Sequence, residues 1–68
     1  MSSLGEELPK EMARVRDTLM PAYIAIGPAG AFALALMRKA LDDAARAMIE
    51  GDVVAMLRAY EDLKGFTE

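Results

Sequence analysis

The chain carries one run of twenty residues without a charge, TLMPAYIAIGPAGAFALALM, from Thr18 to Met37 between Asp17 and Arg38. About twenty apolar residues suffice to cross a bilayer as one helix. The run is therefore either a membrane span or the inside of a helical assembly. Gly27-Pro28 lies at its centre, where a span tolerates a break least. Glycine reaches backbone angles closed to other residues, and proline suits the first turn of a new helix. The apolar stripe also extends beyond the run: Leu8, Met12, Val15, Leu19, Tyr23 and Ile26 recur every three or four residues. No aromatic belt marks membrane boundaries, since Trp is absent and Tyr23 and Phe32 lie inside the run. Gly27, Ala31 and Ala35 fall four apart, a spacing used in membrane-helix packing but ordinary in any alanine-rich helix. The run reads as the junction of two helices, with a single-pass membrane protein as one alternative.

The predicted fold is all-α, a single small domain of three helices over approximately 8–26, 29–50 and 53–64. Pro9 suits the first turn of helix one, and Glu6, Glu7 and Glu11 favour its positive end. Pro21 interrupts the stripe without shifting its phase, which favours a kink or a restarted turn over a break. From Ala31 to Glu50 there is no Gly or Pro, so helix two is the longest. Its apolar side runs through Ala33, Leu34, Met37, Leu41, Ala44, Met48 and Ile49. Arg38–Asp42 and Asp42–Arg46 are spaced for i,i+4 pairs. Gly51 closes this helix and Asp52 caps the next. Helix three places Val53, Met56, Leu57, Tyr60 and Leu63 on one side, and the tight link makes it a neighbour of helix two. Residues 1–7 and 66–68 are expected to be frayed.

Sixty-eight residues enclose little interior, and a core this small is marginal alone. The chain has no Cys and no His, so neither disulfides nor a dedicated zinc site supplements it. Yet 54% of its residues are hydrophobic, more than one small domain can hide. The stretch AGAFALALM is apolar on nearly every face, with Phe32, Leu36 and Ala40 off the stripe of Ala33, Met37 and Leu41. A second copy is the simplest cover, which predicts a homodimer. Phe32, Leu36 and Met37 are the first candidates for self-association, with Tyr23, Met56 and Tyr60 as secondary contacts. Both tyrosines can pack a ring and keep a wet hydroxyl, and methionine adapts to plastic surfaces.

The net charge of −3 gives no electrostatic reason to approach nucleic acid or an anionic membrane. The EGD turn resembles the joint of a helix-turn-helix, which makes a small DNA-associated transcriptional regulator the second alternative. Helix three, however, sets only Arg58 and Lys64 against Glu61 and Asp62. No stretch carries recognisable catalysis. IGPAG lacks the glycine spacing and the lysine of a phosphate loop. Adjacent carboxylates such as Asp42-Asp43 and Glu61-Asp62 diverge by about 100° on a helix and do not converge on one proton or cation. Ser2 and Ser3 are the only serines. The sequence assigns no catalytic, cofactor-binding or metal residue and points away from an enzyme.

IGPAGAFALALMRKAL followed by GDVVAMLRAYEDLKG resembles small uncharacterised helical proteins encoded by phages and prophages of proteobacteria, over roughly residues 8–65. The group has no signature chemistry, so no site residue carries over. The resemblance implies a small accessory protein that binds a host protein and inhibits or redirects it. Its expected place is the cytoplasm of a bacterial host cell, in keeping with an N-terminus that lacks the basic start of a secretory signal.

Overall fold

A computed structural model describes residues 3–67. It is all-α, and its helical stretches pack as a three-helix unit with a Cα radius of gyration of 12.1 Å. The first arm is built from three pieces: α1 (Leu4–Arg14), a π-helical turn (Val15–Leu19) and α2 (Met20–Ala25). A 3₁₀ turn (Gly27–Gly30) leads into α3 (Ala31–Glu50), and α4 (Val53–Lys64) follows.

Helix α1 begins at Leu4, a turn before the predicted start at Leu8. The Ser3 carbonyl accepts from the amides of Glu6 and Glu7 at 3.0 and 2.9 Å, which opens the helix there. Both glutamates occupy the first turn, where the helix dipole favours them. Leu8 consequently sits inside the helix, fully buried, and Pro9 lies in the second turn rather than the first. Residues 4–7 are thus part of helix α1, and the Phe66 and Thr67 carbonyls accept from Arg14 and Tyr23, while residues 1, 2 and 68 of the segments expected to fray lie outside the described range.

Pro21 neither ends the arm nor leaves it regular. It cannot donate to the Asp17 carbonyl, and its ring crowds that oxygen. The turn before it widens instead: the Met20 amide donates to the Val15 carbonyl, an i→i−5 bond, and the backbone remains right-handed helical on both sides. A one-residue widening of this kind absorbs a local misfit without breaking a helix.

The arm ends at Gly27, whose φ of 76° is left-handed. The uncharged run of the sequence is therefore distributed over the π turn, α2, the 3₁₀ turn and the start of α3. Among the described residues no helix is long and apolar enough to cross a membrane.

Helix α3 closes with both bonds of a Schellman motif. The Asp52 amide reaches the Ala47 carbonyl at 3.0 Å, and the Gly51 amide reaches Met48 at 3.3 Å, with Gly51 at φ 66°. The Asp52 carboxylate then accepts from the Ala55 amide at 3.1 Å and caps α4. Two helices joined by so short a link lie side by side. Ala40 and Ala44 of α3 and Ala59 of α4 are buried in the shared core, and Ala47 is buried as well. Leu8, Val15, Leu19, Met37 and Leu63 fill the rest of the core.

This contact line corrects the expected stripes. Ile49 is 87% exposed, and Ile26, Val53 and Leu57 face solvent as well, while Ala47 and Ala59 are buried. Helices approach closest where side chains are smallest, so the alanines set the seam and the larger residues beside it turn outward.

Candidate self-association surface

Apolar side chains left in the open fall into two groups near opposite ends of α3. At the corner between α2 and α3 stand Ile24, Ile26, Phe32 and Leu36, with Phe32 77% and Leu36 43% exposed. Ile49, Val53, Val54 and Leu57 surround the α3–α4 turn. The first group lies wholly inside the uncharged run, whereas Glu50 and Asp52 border the second.

Of the six predicted contacts, Phe32 and Leu36 are at the surface. Met37 is a correction: it is fully buried and belongs to the core, because its position on α3 faces the first arm and α4. Tyr23, Met56 and Tyr60 are half-buried against that core. Tyr23 donates its hydroxyl to the Thr67 carbonyl. The Lys64 ammonium lies 5.3 Å from the centre of the Tyr60 ring, within cation–π range. Ile24 and Ile26 escaped the sequence reading because helical periodicity cannot tell where the arm turns away from its neighbours.

Behind the corner the chain is strapped together by groups that periodicity also cannot reveal. Arg14 donates to the carbonyls of Leu63 at 2.9 Å and Phe66 at 3.1 Å. Glu11 steadies the guanidinium at 2.9 Å. A cation is thereby placed at the negative end of α4, and carbonyls left over by the helix gain donors. Phe66 is held in place as a half-buried side chain against the core.

Two hollows open along the groove between α3 and α4. One, of about 280 Å³, is bounded by Leu36, Lys39, Ala40, Asp43, Asp62 and Phe66. The other, of about 250 Å³, has Ala47 and Ala59 at its base and Arg46, Glu50, Arg58 and Asp62 around it. At the shared rim the Lys39 ammonium donates to Asp43 at 2.8 Å. That hydrogen bond, with the attraction of Asp43 and Asp62, holds the Lys39 pKa above its ordinary value. This pair replaces the Arg38–Asp42 spacing expected from sequence. Across the molecule, the hydrogen bond from Arg16 holds Asp17 below the usual carboxylate range. Among the described residues no cluster of three or more acidic side chains is placed to hold a metal.

Comparison of the chain with family models, with curated proteins and with solved structures finds no match.

Proposed function

We propose that this chain is a protein-binding module that pairs with a second copy of itself through the α2–α3 corner. The observation that carries this is Phe32, an aromatic side chain 77% exposed on a regular helix, with Leu36 four residues on and Ile24 and Ile26 exposed shortly before it in the chain. Aromatic side chains are favoured anchors of interfaces, and an apolar cluster in water has a standing drive to be covered. The corner also carries no charge of either sign from Thr18 to Met37. A two-fold pairing sets each patch against its own copy, so an uncharged patch meets no like-charge repulsion there. The α3–α4 turn, bordered by Glu50 and Asp52, is the less favourable surface for self-pairing and is left for a different protein.

A phage-type role, inhibiting or redirecting a host protein, rests on the sequence resemblance alone. DNA binding has little support, since the groove between α3 and α4 presents Asp43, Glu50 and Asp62 along with its cations.

Light scattering at micromolar concentration tests the pairing. The parent chain is expected at twice the monomer mass and F32D at the monomer mass, because the substitution puts a charge into an apolar contact. Phe32 is exposed in the single chain, so F32D keeps its helical circular dichroism. A parent that remains monomeric throughout that range overturns the proposal.

A further inference from the structure

We infer that residues 65–67 form a strap that opens as a unit while the helices stay packed, and that its release lengthens the apolar face of α3. Beyond α4 the chain is no longer helical, and of these three residues only Phe66 is half-buried; Gly65 and Thr67 are exposed. What ties the segment to the first arm is polar. Arg14 donates to the Phe66 carbonyl, and Tyr23 donates to the Thr67 carbonyl. The other long-range bond of Arg14, to Leu63, ends on α4 itself. A segment held by one half-buried ring and two side-chain hydrogen bonds opens at lower cost than helices whose seams are fully buried.

What opening uncovers follows from spacing on α3. Phe32, Leu36 and Ala40 are four apart and share one face of the helix. Exposure falls along this row from 77% at Phe32 through 43% at Leu36 to 5% at Ala40. Phe66 borders the same hollow as Leu36 and Ala40. The strap therefore stands where the row passes from open to covered, and its release extends the exposed face from Phe32 towards Ala40. Arg14 and Tyr23 are positioning residues: they hold the cover in place. The device belongs to the single chain and does not depend on the pairing proposed above.

Thiol labelling tests the strap. The chain has no cysteine of its own, so a single introduced one reports how often its position meets the reagent. A40C reads the covered end of the row, and M37C, at a fully buried position, reads opening of the core. R14M keeps an apolar stem and loses every donor. Adding it is expected to label A40C about tenfold faster, the factor for one hydrogen bond from a charged group, and to leave M37C unchanged. Equal acceleration at both positions means that Arg14 holds the whole fold, and overturns the strap; no acceleration at A40C overturns it as well. Should R14M lose its helical circular dichroism, Y23F, which removes only the hydroxyl, carries the same comparison. Amide exchange of Phe66, whose N–H donates to the Leu63 carbonyl at 3.1 Å, gives a second reading in the parent chain. It is expected to run faster than exchange in the middle of α3, and a rate equal to that of α3 overturns separate opening.

Discussion

At Gly30 the chain has no room for a side chain. A Cβ built there would sit inside contact distance of the Tyr23 carbonyl oxygen and carbon, both backbone atoms, with Ile26 close behind. The crowding arises where α3 folds back against α2, so the obstacle belongs to the corner itself. G30A is expected to destabilise the fold by about 1–3 kcal/mol, the range for overpacking at a site that cannot yield. Thermal unfolding followed by circular dichroism reads this directly, and an unchanged melting temperature would mean that the corner is looser than described. In the sequence, Gly30 looks like one more small residue in an alanine-rich stretch. Its steric role depends on Tyr23, seven positions away, and becomes visible only once the chain has turned. Phe32 is the opposite case. Its place off the apolar stripe was legible from spacing alone, and it does project from the surface.

The α3–α4 hairpin shows how much of an element can be read locally. Gly51 and Asp52 specify a stop and a start in consecutive positions, and the observed bonds are those that such residues make. Loss of the cap in D52A is expected to cost about 1 kcal/mol. For a domain of this size, that lowers the melting temperature by roughly 4–8 °C. D52N retains an acceptor oxygen and should recover most of the loss; if D52A melts like the parent, the cap contributes nothing. The start of α1 was less legible because Pro9 suggests a first turn; Ser3 and Glu6 have capping-box spacing, but the Ser3 side chain makes no capping hydrogen bond and the helix opens on its carbonyl. Pro21 marked a disturbance correctly. Its form, one widened turn, depends on the packing of Val15 and Leu19 into the core on either side of it.

On the scale of the whole molecule, electrostatics has a small part. Asp17 has its pKa lowered by the Arg16 hydrogen bond, so its contribution is present above the unfolded carboxylate value and is lost as pH falls through the folded one. Lys39 has its pKa raised by Asp43, so its contribution is present below the unfolded lysine value and is lost as pH rises through the folded one. Both pairs are exposed and weak. With no His and no Cys, no side chain has an ordinary titration point in the neutral range. The melting temperature is therefore expected to stay level between about pH 6 and 8, with losses confined to acid and alkali. A clear slope across neutrality, measured at fixed salt and protein concentration, would contradict this.

The sequence by itself determined that the chain is helical, where its last two helices meet, and that it carries more apolar surface than one small core hides. These follow from residue spacing, glycine and proline geometry, and capping, which act within a few positions of the chain. Tertiary structure decided which apolar residues remain outside. The seam follows the alanines, which leaves Ile49, Val53 and Leu57 in solvent. It also decided that Arg14 binds the end of α4 across 49 and 52 positions of chain. The physical reason is the same in both cases. Periodicity defines the sides of each helix, but how closely helices approach, and which polar ends they present to one another, is settled only when they pack.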